Sequence, residues 1–142
     1  MNNLAHALHY AAVWKWPVFP CKIDKKPMGE LVPHGHLDAS ADPEQVKAWW
    51  NARANASIGA PTGTRTGVWV LDVDLAAGGF ESLAKIEKKY GPLPETMRQK
   101  TGGGGHQYFF QLNGQIPKNS TSKIRLGEGE DPFGRIFDAR FG

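Results

Sequence analysis

Cysteine is nearly absent from this chain: Cys21 is the only one in 142 residues. A lone thiol forms no internal disulfide and excludes a zinc site built on several thiolates. It reads instead as a small buried hydrophobe in a reduced, cytoplasmic protein. Long apolar runs are missing too. No window approaches the roughly 18 residues of a membrane span, so no membrane association is expected. The opening residues, MNNLAHALHYAAVWKWPVFPC, have no positively charged start and no clean apolar centre, and do not read as a signal peptide. Charge of one sign is scarce as well. A net charge of +3 permits a nucleic-acid partner without requiring one.

What is present is the composition of a globular domain, 40% hydrophobic and 22% charged, which argues against wholesale disorder. A chain of 142 residues suits one domain with a single core, spanning 1–142. Leu4, Ala7, Leu8, Ala11 and Ala12 recur at helical spacing, and Pro17 blocks continuation. VFPC reads as a short strand. Asp42, Pro43 and Gln45 read as the capped start of a helix, PEQVKAWWNA, that buries Val46, Trp49 and Trp50. SIGAPTGTRTGVWVLDVDL reads as two strands joined by a Gly/Thr turn, followed by a helix from Gly79 to Tyr90 that stops at Gly91. MRQKTGGGGHQYFFQL reads as strand, glycine run, strand; residues 113–132 as a surface loop; and FGRIFDARFG as a last strand. Helices and strands mix without strict alternation, and no internal repeat is visible. The expected class is α+β with a largely antiparallel sheet.

The most apolar stretch, VWVLDVDL, holds two aspartates. Strand alternation puts Val68, Val70, Asp72 and Asp74 on one face and Trp69, Leu71, Val73 and Leu75 on the other, which must be the core. Residues two apart on a strand have Cα atoms about 6.5 to 7 Å apart, so both carboxylates can reach one divalent cation or a close pair of them. All-oxygen ligation suits Mg²⁺ or Mn²⁺ better than Zn²⁺. The D-x-D motif alone fits an exposed strand end equally well. RIFDARF sets a third carboxylate, Asp138, into a hydrophobic strand, two residues before Arg140 on the same face.

TGGGGHQYFF puts His106 at the head of a strand, on the face of Tyr108 and Phe110, after four glycines. Glycines in series cost conformational entropy and let backbone approach a ligand closely. No Gly-Lys-Ser/Thr follows, which excludes a Walker loop. The run, Gly104 and Gly105 included, can still cradle phosphate through its N–H groups, with His106 as a further donor. Other features are bland. HGH at 34–36 lies among prolines and does not suggest a preformed metal site. Lys25 and Lys26 form a small basic loop, Arg65 sits in a turn, and the five tryptophans serve mostly as core, although an exposed one can stack a base.

In order, VLDVDL, TGGGGHQYFF and IFDARFG resemble the three signature motifs of the archaeo-eukaryotic primase superfamily. The linking text WPVFPCKIDKKP, DASADPEQVKAWW, NASIGAPTGTRTGVWVLDVD and LPETMRQKTGGGGH resembles one branch of it, the bifunctional primase–polymerase N-terminal domain of plasmid, phage and multidomain replication proteins. The likeness runs from about Ala11 to the C-terminus. It implies an RNA-recognition-motif-like, mostly antiparallel sheet with flanking helices, which polymerises nucleotides from nucleoside triphosphates on a single-stranded DNA template. It also implies Mg²⁺ or Mn²⁺ in a two-metal site, and a helicase or other replication-protein module as partner. Residue by residue, Asp72, Asp74 and Asp138 fall on the metal-binding acids and His106 on the triphosphate-contacting histidine, while Arg140 is carried over as a phosphate-side contact.

Two departures are visible. Many members carry serine among the small residues before the histidine, where this chain has only glycine. The chain also stops at Gly142, four residues past Asp138, where members continue with a further strand, so it reads as a truncated piece or a short member. Two other readings use the same residues: a nucleotide- or single-stranded-DNA-binding module without catalysis, and a metal-dependent phosphodiesterase or nuclease.

Overall fold

The computed structural model describes residues 2–113 and the backbone of a last strand, Phe137–Arg140. Apart from residue 113, the loop expected over 113–132 lies outside the described residues. The chain falls into two compact units, residues 1–61 and 62–142.

The first unit is built from helix α1 (Asn3–Ala12), strand β1 (Phe19–Cys21), a 3-10 turn over Gly35–Asp38, helix α2 (Pro43–Ala52) and strand β2 (Ser57–Gly59). Asn2 caps α1 by accepting from the Ala5 N–H at 2.9 Å. Asp42 caps α2 through the Glu44 N–H at 3.1 Å, with Pro43 in the first turn as its spacing predicts. The apolar positions of both helices then converge: Ala7, Ala11, Val18, Val46 and Trp50 are almost fully buried. Trp50 brings a polar atom inside, and its indole Nε1 donates to the Ala56 carbonyl at 3.0 Å. The Asn3 amide donates to the same carbonyl at 2.9 Å, so one acceptor ties the start of α1 and the last turn of α2 to the segment before β2. Cys21 lies in this core, where burial, with a smaller push from Asp24, raises its thiol pKa, as befits an inert side chain.

One pairing differs from the sequence reading. β2 does not form a hairpin with the strand after it; it pairs antiparallel with β1, Pro20 opposite Ile58. The Gly/Thr-rich stretch between them instead closes a tight turn of its own. The Gly63 N–H donates to the Val68 carbonyl at 2.7 Å, and the Gly67 N–H donates back to the Gly63 carbonyl at 2.8 Å.

Among the described residues, the second unit is a four-stranded antiparallel sheet with one helix. Its strands are β3 (Val68–Val73), β4 (Arg98–Lys100), β5 (His106–Gln111) and β6 (Phe137–Arg140), in spatial order β4-β5-β3-β6, and α3 runs over Gly79–Tyr90. The apolar alternation of β3 decides which face takes the helix. Leu71 and Val73 are buried with Leu83 of α3, and Trp69, Phe80, Ile86, Leu93, Tyr108 and Phe110 pack around them. Trp69 stacks on Phe110 at 4.6 Å between ring centroids. The described residues are thus α+β, with small antiparallel sheets and three α-helices, as the mixed pattern implies.

Replacing Trp50 by Phe removes the indole donor and part of a filled core volume. The variant is expected to lose about 1–3 kcal/mol in a urea titration followed by far-ultraviolet circular dichroism. An unchanged midpoint would remove Trp50 from the first unit's core.

Candidate functional site

The site is assembled at one end of the four-stranded sheet, where β3 finishes and β5 begins. The register across β3 is Asp72 opposite Gln107 on one side and opposite Asp138 on the other. Directly opposed positions on antiparallel neighbours share a face, with Cα atoms about 4.5–5.5 Å apart. Two carboxylate residues therefore occupy one rung of adjacent strands, a pairing that repels unless a cation lies between them. Arg140 is two residues along β6, opposite Val70.

Asp72 is half-buried, and its Oδ2 accepts from the Gln107 amide at 3.4 Å. Asp74 stands differently from the alternation argument. β3 ends at Val73, and Asp74 is exposed in the turn that leads to α3. There its Oδ1 accepts from the Ala76 N–H at 2.9 Å, and its carbonyl accepts from the Gly79 N–H at 2.8 Å. The two acids are thus neighbours at the strand end, one on the sheet face and one on the connecting turn.

His106 pairs with Val73, which sets it on the helix-covered face rather than on the face of Asp72. Its ring meets Phe80 edge-on at 5.0 Å, and its Nδ1 lies 3.4 Å from the Tyr108 hydroxyl. Lys100 is the β4 residue opposite His106, and the Arg98 guanidinium lies 6.0 Å from the Tyr108 ring centre. Asp72 and His106 can share a ligand only if it spans the end of the sheet, where the Asp74 turn and the glycine hairpin also lie.

The four glycines divide into two kinds. The Gly104 N–H donates to the Thr101 carbonyl at 3.0 Å, and Gly104 sits at φ +84°. The Thr101 N–H bonds to the Gly105 carbonyl at 2.8 Å, which makes a three-residue hairpin loop with glycine at its left-handed position. At Gly105 a Cβ would lie 2.4 Å from the Val73 carbonyl oxygen, so backbone approaches backbone there. Gly102 and Gly103 have open space where a Cβ would stand. Packing alone therefore accounts for Gly104 and Gly105, and the Gly104 N–H is already engaged inside the turn. The open half of the loop, Gly102 and Gly103, is the part free to lie against a ligand.

The bland readings also find places. His34 and Asp38 bracket the 3-10 turn: the His34 N–H donates to Asp38 Oδ2 at 2.8 Å, and its ring Nδ1 lies 3.1 Å from Oδ1. The backbone bond above all lowers the Asp38 pKa. Lys25 and Lys26 lie in a tight turn, and Lys26 pairs weakly with Asp24 at 3.6 Å. Among the described residues no three His, Cys, Asp or Glu side chains gather as a metal cluster. Register sets Asp72 opposite position 138, and carboxylates are the ligand type that hard divalent cations take. Among the described residues no helix is long and apolar enough to cross a membrane.

Gln99 and Gln107 were not singled out by the sequence reasoning. They extend the acid rung across the sheet, Gln99 opposite Gln107 and Gln107 opposite Asp72. A signal existed for half of this: a short hairpin loop fixes the β4–β5 register, so once Gln107 is aligned with Asp72, Gln99 follows.

The family model for the bifunctional DNA primase/polymerase N-terminal domain matches residues 7–141, which takes in both compact units. The chain belongs to that family, whose name implies DNA templates and nucleotide substrates. A comparison with curated proteins finds no match.

The glycine division predicts two different phenotypes. Gly105→Ala forces the β5 backbone away from Val73 and is expected to cost about 1–3 kcal/mol. Gly102→Ala and Gly103→Ala should stay within about 0.5 kcal/mol of wild type. Parallel thermal melts check both, and equal losses at all three positions would refute the division.

Proposed function

We propose that this chain is the catalytic domain of a metal-dependent DNA primase/polymerase, joining nucleotides on a single-stranded DNA template. The observation that supports this most is the Asp72–Asp138 rung of β3 and β6, beside the Asp74 turn and the glycine hairpin. Opposed carboxylates have no structural use on a sheet, and they are what two Mg²⁺ or Mn²⁺ ions require. In this reading Asp72, Asp74 and Asp138 hold the ions. Bound there, such ions supply activation of a primer 3′-hydroxyl and neutralise a triphosphate with its leaving pyrophosphate.

The chain's own residues do the positioning. Gly102 and Gly103 let the hairpin lie close along the phosphates, and His106 and Arg140 add donors where negative charge develops. Because His106 is on the face away from Asp72, the nucleotide would lie across the end of the sheet, its metal-bound part toward the acids. The sheet with α3 on one face serves as an RNA-recognition-motif-like platform. A role in replicating a plasmid, phage or other mobile element, beside a helicase or replication-protein module, belongs to the same reading.

Nucleotide incorporation on single-stranded template, primed and unprimed, with Mg²⁺ or Mn²⁺, tests it. Extended products are expected, and Asp72→Ala/Asp74→Ala should reduce them beyond the roughly 100-fold typical of losing an outer-sphere partner. Products shorter than the input strand would favour a nuclease. Nucleotide and template binding without any product would favour a binding module.

A further inference from the structure

The polar row that crosses the sheet has an order that metal ligation by itself does not require. From the β4 edge inward it reads Gln99, Gln107, Asp72, Asp138, each opposite the next. The Gln99 amide nitrogen donates to the Gln107 carbonyl oxygen at 2.5 Å, and the Gln107 amide nitrogen reaches Asp72 Oδ2 at 3.4 Å. Both bonds run in one direction, toward the acid. A glutamine amide has a donor end and an acceptor end, and only the donor end attracts a carboxylate. Gln99 occupies the acceptor end of Gln107, so it fixes which end faces Asp72.

We propose that Gln107, held by Gln99, is a positioning residue that orients the Asp72 carboxylate for a divalent cation. The inference rests on the metal reading given above. Its chemistry is that of an outer-sphere partner: a hydrogen bond to one ligand oxygen, here Oδ2, restrains the carboxylate's rotation. A neutral amide suits the task better than a cation would. Lysine or arginine at this position would pair with Asp72 and compete with the metal, whereas glutamine steers the carboxylate and leaves its full negative charge in place. Sequence order fits as well. Gln107 directly follows His106, so one strand sends alternate residues to the two faces of the sheet, one toward the acid and one toward Phe80.

Mn²⁺ binding to the whole chain, followed by electron paramagnetic resonance of the free ion, tests this without any turnover. Gln107→Met keeps the length and strand-compatible shape of the side chain and removes the amide. It is expected to weaken Mn²⁺ binding 10- to 100-fold with the melting temperature nearly unchanged. Gln99→Met should act in the same direction with a smaller effect, since the Gln107 amide survives but loses its fixed orientation. Mn²⁺ binding lost in Asp72→Ala yet intact in folded Gln107→Met overturns the inference alone. Binding indifferent to Asp72→Ala overturns the metal reading and this inference together.

Discussion

A slip of one residue between β3 and β5 would exchange His106 and Gln107 between the faces of the sheet, and everything at its working end depends on that not happening. The observed register is held from both faces. On the helix side, Val73 lies opposite His106, Leu71 opposite Tyr108 and Trp69 opposite Phe110, and all of these pack beneath α3. On the other side, Asp72 meets Gln107. Shifting β5 by one residue would drive Gln107 and Phe109 under the helix and lift Tyr108 and Phe110 out of it. Packing of the Tyr108 and Phe110 rings against the α3 side thus fixes the position of a polar pair that contributes less itself.

The glycine hairpin is the second half of that constraint. Gly105 brings the start of β5 against the last carbonyl of β3, and Gly104 supplies the left-handed residue that turns β4 into β5. Together they deliver the open part of the loop, Gly102 and Gly103, to the strand end where Asp74 lies. A single run of four like residues therefore does two jobs. Two of its members make the hairpin, and two leave a stretch of backbone without side chains facing open space.

Much of this was legible in the sequence, and the limits have physical causes. The start of α2 and the end of α3 were legible because they carry strong chemistry, Asp42 with Pro43 for one and Gly91 for the other. The apolar face of β3 followed from period-two alternation and is the face that packs on α3. Alternation carried two residues too far, however: Asp74 belongs to the turn, bonded to Ala76 and Gly79, and Leu75, expected on the core face, is exposed. The partner of β2 was not legible at all. Proximity in sequence favoured β3, but pairing with β1 is a long-range choice made by Val18, Val46 and Trp50 in the core around it. Gln99 and Gln107 escaped notice for a similar reason: glutamine has no chemistry of its own to attract attention, and its meaning here comes only from register.

The same register argues for how a ligand must lie. Asp72 and position 138 share one face, His106 is on the face that packs on α3, and the Asp74 turn lies at the end of the strands between them. A compact ligand can meet only one of the two faces, whereas a long one can engage both. A nucleoside triphosphate, the substrate class of the function proposed above, has that shape. His106 and Asp72 stand on opposite faces of the sheet. Alternation along β5 keeps the two apart by one residue, while the short glycine loop keeps them within reach of one substrate.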